Sequence, residues 1–293
     1  MTEPRKSRSL EREAARLKAK ELSKRHARGT KVRRFGVQIS VIAGIVALIG
    51  IIVTVVVVGE KVVIQKPSDY LLANHIKIGA NLEAFTPSHT PTPTPTAGVV
   101  LPKIPVHIVI VEDLACSACK AFETANEAQL RQWVSTGIAT VEYRPISFLD
   151  EMNASANDYS KRAGNATYCV ATYDPNKFFN FNAYLYVNQP AEGATSFGPD
   201  DDSLLASMST LGINVNEDMK TCVKTHRYVS WLKSMTSKYY SSGSIVPGYK
   251  VPFSGTPTVI VNGENWTSEA NWQVGVVNNP AAFAAFVQKF QTK

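Results

Sequence analysis

The sequence predicts an α/β domain interrupted by a block of helices and preceded by a single transmembrane helix. Three observations predict it. Residues 35–58 are an apolar run with no charged side chain. Residues 106–111 are rich in β-branched side chains and lead into Cys116-Ser117-Ala118-Cys119, a helix-forming stretch and a second strand-like run at 139–148. Residues 150–242 then read as mainly helical, before a further β-branched run opens at Pro257.

Residues 1–34 form a basic tail with thirteen Lys and Arg against four Glu, whereas the remainder holds eighteen basic and twenty acidic residues. The formal net charge of +7 therefore belongs to an arm and not to the domain. A nucleic-acid-binding fold would carry its positive charge on the folded part, so no nucleic-acid partner is expected. Ala, Leu, Glu, Lys and Arg favour helix within 9–26, in a tail that faces solvent or lipid headgroups.

At ~1.5 Å per residue, 35–58 is long enough to cross a hydrocarbon core of ~30 Å. It is too long and too deep in the chain for a signal-peptide core; a cleaved signal or a buried core helix is the alternative. The thirteen basic residues before it place the N-terminus in the cytoplasm and the rest outside, by the positive-inside rule. The expected location is thus a single-pass protein of the cell membrane with an extracytoplasmic domain, touching lipid only through its span. Residues 59–69 read as a tether and 70–293 as the domain.

From His75 to Leu82, apolar and polar residues alternate as in a half-buried strand. The Thr/Pro-rich run at 86–102 cannot pair as a central strand and should be extended and exposed; the strand-like stretch before it favours a loop inside the domain, and a linker is the alternative. Residues 106–111 suit a buried central strand. A helix follows from about 120 to 134, and 139–148 is the next strand, parallel to the first because a helix separates them. Gly, Pro and Asn divide the helical block into 154–173, 175–187, 202–211, 216–225 and 228–240. Pro257 opens a strand, where proline is tolerated, and Asn262-Gly263 signals a hairpin turn. Residues 266–277 hold a last strand, and 280–292 an amphipathic closing helix.

The Cys-x-x-Cys sits at the mouth of a strand-to-helix turn, the position of a redox dithiol. Residues i and i+3 share a face in the first helical turn, so the two sulfurs can meet. Cys116 lies where unpaired N–H groups and the helix dipole favour a thiolate; Cys119, one turn in, is more covered. A structural zinc site would need a second close pair of ligands, and neither Cys169 and Cys222 nor the five histidines supply one, so no metal is expected. Beyond the membrane disulfides persist. The four cysteines fit a local pair, Cys116–Cys119, and by elimination Cys169–Cys222, unless the latter two are single buried thiols.

The segment Glu112-Asp113 before Cys116-x-x-Cys119, then Lys120-x-Phe122-Glu123, the long helical insertion, and Gly255-Thr256-Pro257-Thr258 before a strand and Asn262-Gly263 together resemble the thioredoxin superfamily. They are most similar to DsbA-like, membrane-anchored thiol–disulfide oxidoreductases of actinobacterial type, over about 70–293. The resemblance implies a thioredoxin-like fold with a helical insertion and a cis-proline loop, Thr256-Pro257, that faces the cysteines and binds substrate. It implies catalysis by Cys116, which forms the mixed disulfide, and Cys119, which resolves it, and a structural disulfide between Cys169 and Cys222. No cofactor is implied beyond a redox-active disulfide. The partners implied are reduced exported proteins and a membrane redox partner of the DsbB or VKOR kind for reoxidation.

Two departures stand out. The dipeptide between the cysteines is Ser117-Ala118, without the His or Pro usual in oxidases. The buried acid that many thioredoxin-fold enzymes carry six residues before the first cysteine is Ile110 here. Glu112 is a candidate proton relay in its place; solvation of Glu112 and Asp113 is the alternative. The leading function is an extracytoplasmic oxidase that introduces disulfides into exported proteins. A reductase or isomerase, and a non-catalytic tethered binding module, are the alternatives. Metal handling would need a third ligand, for which only His107 offers itself.

Overall fold

Strand β2, Val106–Glu112, is the centre of the sheet because its side chains are apolar on both faces. Ile108 and Ile110 join one hydrophobic cluster with the helices, and Val109 and Val111 join a second on the opposite side. The computed structural model describes residues 65–67, 75–94, 97–152, 155–191, 193–241, 245–273 and 275–291, with 18, 20 and 21. The predicted span 35–58 lies outside the described residues, as does most of the basic tail and tether. Among the described residues no helix is long and apolar enough to cross a membrane. The chain divides into two units, 1–63 and 64–293, and the sheet and its helices all belong to the second.

β1 (Ile76–Ile78) pairs antiparallel with β3 (Ala139–Pro145), and β2 lies parallel to β3 with Ile108 opposite Val141. The helix between them is α1, Ser117–Ser135. It buries Cys119, Phe122, Leu130 and Val134 on the sheet. β6 (Thr258–Val261) pairs antiparallel with β2 and carries β7 (Glu264–Asn265) at the edge. The sheet order is thus β1-β3-β2-β6-β7, a mixed sheet with one parallel pair at its centre.

The alternating run at 75–82 is a strand only as far as Ile78. The chain then turns back through a 3₁₀ turn at Ala80–Leu82, and Phe85 N–H donates to the Lys77 carbonyl at 2.8 Å. Gly79 is required there: a Cβ would lie 2.6 Å from the Phe85 ring. Of the residues that the alternation sets on the covered side, Ile76, Ile78 and Ala80 are buried and Leu82 is half-buried. The alternation does not register Asn81 and Leu82 in positive-φ conformations. Because β1 precedes the Thr/Pro run and β2 follows it, that run joins two strands of one sheet, with β3 lying between them. Pro91 is buried, while Thr90, Thr92 and Thr94 face solvent.

Between β3 and β6 lies the helical block: α2 (Phe148–Glu151), α3 (Tyr159–Tyr173), α4 (Phe178–Val187), α5 (Asp201–Thr210), α6 (Glu217–Lys224) and α7 (Val229–Ser241). Asp200 and Asn216 cap α5 and α6, each accepting from the N–H three residues on, as their positions before acidic first turns lead one to expect. The sequence predicts a helix from 154, but residues Ser155–Ala156 form a short strand, β4, parallel to β5 (Gly193–Phe197). Two-residue strands carry no periodicity to read. α3 is the core of the block and is buried nearly throughout. Gly164 lets α7 approach, since a Cβ would lie 2.7 Å from Leu232 Cδ2. Cys169 of α3 and Cys222 of α6 are joined by a disulfide.

Asn262-Gly263 makes the β6–β7 turn with both residues at positive φ, the type I′ geometry the dipeptide signals. Asn262 also accepts from His107 N–H at 2.8 Å through its side chain. The predicted last strand at 266–277 is replaced by β7 just before it and by a short helix, α8 (Glu269–Gln273). The closing helix α9 (Pro280–Gln288) packs Phe283 against Phe122 of α1 with ring centroids 5.3 Å apart.

Candidate active site

The end of β2 and the start of α1 bring Cys116 and Cys119 together. Cys116 is the N-cap of α1, in an extended conformation, and its carbonyl accepts the Lys120 N–H at 3.1 Å. Both cysteines are free thiols. Cys116 retains 8% exposure and Cys119 none, and Ser117, next in the chain after the former, is exposed. A hydrogen bond from Cys119 holds the Cys116 thiol down at about 6 against the pull of burial, helped by Thr256 and by the Cys119 and Ala118 N–H groups. Burial pushes Cys119 well above the ordinary thiol range, and the neighbouring Cys116 adds to it. The two sulfurs thus differ in the sense that separates a nucleophile from a silent partner.

The loop before β6 faces this pair. The Thr256-Pro257 peptide is cis, and the Cys116 thiol donates to the Thr256 carbonyl at 3.3 Å. Thr258 Oγ1 ties the loop by donating to the Gly255 carbonyl at 2.7 Å. Of the two residues that the resemblance sets against Cys116, Thr256 makes this contact, and Pro257 follows it through the cis bond.

Beneath the cysteines lies a carboxyl cluster. Glu112 and Asp113 are both fully buried, so the solvated alternative is excluded. Glu112 lies on the strand face of Ile110, two residues on. Its carboxyl meets Glu123 of α1. Burial, and then the Glu123 charge, hold Glu112 well above the usual carboxylate range, and contacts with Tyr186 and Asn182 only partly offset this. Burial likewise pushes Glu123 up to about 8. A carboxyl–carboxyl contact in a dry interior needs one proton between the two groups. Asp113 is pushed up to about 7 by burial, against hydrogen bonds from Ser160 Oγ at 2.5 Å, Ala115 N–H at 2.8 Å and Leu149 N–H at 2.9 Å.

Sequence reasoning named Glu123 only as part of the motif and gave it no role, and it missed Ser160, Tyr186 and Gln189. For Glu123 a signal existed: it lies four residues after Cys119, on the α1 face that Phe122 and Leu130 must bury. The others come from the insertion, and nothing local ties them to the cysteines. His107, the conceivable third ligand for a metal, points to the opposite sheet face and meets Glu142 at 3.2 Å, because strand side chains alternate. Among the described residues no cluster of three or more His, Cys, Asp or Glu is arranged to hold a metal ion.

The family model described as thioredoxin matches residues 101–274. Comparison with curated proteins gives no match. Among solved structures, the chain is similar to the reduced form of the disulfide bond oxidoreductase DsbG from Mycobacterium tuberculosis, at 22% identity and a TM-score of 0.53, covering 73% of this chain and 86% of that one. It is similar to oxidised DsbA from Mycobacterium tuberculosis at 23% identity and a TM-score of 0.53, covering 75% and 93%. A third is oxidised BdbD from Bacillus subtilis, at 14% identity and a TM-score of 0.51, covering 77% and 98%. At these identities the likeness establishes the fold.

Proposed function

Since the chain belongs to the thioredoxin family, we propose that it is a thiol–disulfide oxidoreductase that introduces disulfides into exported proteins. The observation that carries this reading is the acidic Cys116 thiol at a helix N-cap, 3.3 Å from the prolyl-loop carbonyl of Thr256. In the oxidised state Cys116 and Cys119 share a disulfide. A substrate thiolate attacks the Cys116 sulfur, breaking that bond and forming a mixed disulfide. The Thr256-Pro257 loop offers its backbone to the extended substrate segment. A second substrate thiolate then attacks the first, forming the substrate disulfide and releasing Cys116 as a thiolate. Two electrons have moved from substrate to protein, and a membrane redox partner of the DsbB or VKOR kind removes them.

Opening the disulfide leaves charge on Cys119, whose surroundings disfavour it. The Glu112–Glu123 pair holds a proton at neutral pH and Glu112 acts on Cys119 electrostatically. Glu112 is therefore assigned as the relay that supplies that proton. A stabilised Cys116 thiolate favours the reduced protein, which makes the disulfide an oxidant. Residues 35–58 anchor the chain with the domain outside the membrane, where its substrates emerge, and Cys169–Cys222 braces the insertion.

The test is disulfide transfer to a reduced, unfolded protein. Cys116→Ala abolishes transfer, and Cys119→Ala, its lone Cys116 thiolate presented with a disulfide-bearing protein, displaces one sulfur of that disulfide and accumulates the mixed disulfide that Cys119 would otherwise resolve. Full activity in Cys116→Ala would end the proposal. The potential of the Cys116–Cys119 couple against glutathione decides direction: a value near thioredoxin's would mean a reductase.

A further inference from the structure

The turn that carries Cys116 is gripped by the helical insertion. Tyr186, on the last turn of α4, donates its hydroxyl to the Asp113 carbonyl at 3.4 Å. Gln189, two residues past the end of α4, is buried. Its Nε2 donates to the Leu114 carbonyl at 2.8 Å and to the Cys116 carbonyl at 3.0 Å. Both partners are acceptors only, so the NH₂ end of the amide must face them. Lys120 Nζ reaches back to the Gln189 carbonyl at 3.5 Å. The Cys116 oxygen also accepts the Lys120 N–H, so Gln189 holds the same atom that starts α1.

A trans peptide is planar, with its C=O and N–H pointing opposite ways. Holding the Cys116 carbonyl toward Gln189 therefore fixes the Ser117 N–H away from it. It also fixes the orientation of the first turn, whose Ala118 and Cys119 N–H groups favour the Cys116 anion. A loose Cys116 carbonyl would let that turn rock relative to the sulfur.

Resting on the oxidoreductase reading above, we propose that Gln189 is a positioning residue for the reaction. Supplied by the insertion, it clamps the Leu114 and Cys116 carbonyls and so aims the N-terminus of α1 at the Cys116 sulfur. The insertion thereby tunes the reactivity of a thiol that belongs to the strand–helix unit.

The test uses the full chain in detergent, with thiolate absorbance followed against pH and the redox equilibrium measured against glutathione. Gln189→Met keeps the length of the side chain and removes its donors. It raises the Cys116 titration midpoint by about one pH unit and weakens the oxidant about tenfold, ~30 mV for a two-electron couple. Gln189→Asn, with the amide on a shorter stem, moves both in the same direction and decides the matter if Gln189→Met does not fold. Gly164→Ala is the control: crowding Leu232 lowers thermal stability and leaves the midpoint in place. An unshifted midpoint in the Gln189 variant that folds, or an equal shift in Gly164→Ala, overturns the proposal. If neither Gln189 variant folds, amide exchange in the unsubstituted chain decides: slow exchange of the Gln189 side-chain protons supports the clamp, and free-glutamine rates overturn it. An ordinary cysteine midpoint in the unsubstituted chain would instead remove the reading beneath it.

Discussion

The Cys116 sulfur and the Thr256 carbonyl oxygen stand 3.3 Å apart although 140 residues separate them in the chain. Everything between folds into one sheet-crossing excursion and a helical block, and β6 returns beside β2 to close the gap. The Cys116 sulfur thus lies between a helix N-terminus and the prolyl loop.

The first expected outcome concerns selective alkylation. With Cys116 held at about 6 and Cys119 well above the ordinary range, one thiol reacts with iodoacetamide at pH 7 and the other does not. The rate rises through a midpoint near 6, and peptide mapping places the label on Cys116. Label on Cys119 at neutral pH would contradict the assignment of roles.

The buried carboxyl pair makes stability fall as pH rises. Glu123 titrates at about 8 in the folded chain and near 4.5 when unfolded, so between these values the folded state holds a proton that the unfolded state has lost. Unfolding then releases protons and is favoured by alkali, at ~1.4 kcal/mol for each unit of pKa difference. Glu112→Gln removes one member of the pair. The variant is more stable than the parent at pH 8 and little changed at pH 4 in urea titrations. A parent whose urea midpoint is flat from pH 5 to 8 would contradict this.

His75 works in the opposite sense at acid pH. Burial, with the Arg144 charge next, lowers it from 6.5 to about 4. Between those values the unfolded chain binds a proton that the folded chain does not, so stability is complete above about 6.5 and declines as pH falls toward 4. The loss reaches ~3 kcal/mol. His75→Leu reduces the slope of stability against pH in that window, as calorimetry from pH 4 to 7 would read.

Removing the Cys169–Cys222 bridge tests its structural role. The cysteines are 53 residues apart, for which loop closure gives about 4 kcal/mol in the chain-entropy account. The double variant Cys169→Ala, Cys222→Ala loses stability of that order, while Cys116 keeps its acidic titration. Loss of the Cys116 shift together with the bridge would mean that the bridge acts on the site.

Several parts of this protein are legible in one dimension because their signals are local. The Cys116-x-x-Cys119 spacing, the β-branched run of β2 and the Asn262-Gly263 turn each act within a few residues. The strand at 75–82 is overextended in the sequence pattern for a related reason. Alternation reports which side chains are covered, and covered residues continue past Ile78 although the backbone has already turned. The resemblance looks for a buried acid at Ile110; a buried carboxyl stands instead at Glu112, two residues on and on the same strand face by period-two alternation.

The sequence by itself determined the chemistry: two thiols one helical turn apart at a strand end, a proline opening the strand that follows the insertion, and an apolar, uncharged run ahead of the domain. Tertiary structure alone decided what those thiols experience. Whether Glu112 and Asp113 are wet or dry, whether Glu123 meets Glu112, and which side chain holds the Cys116 carbonyl all depend on contacts across tens of residues. Burial and hydrogen bonding act through space, and a linear pattern carries no record of the neighbour that the fold brings alongside.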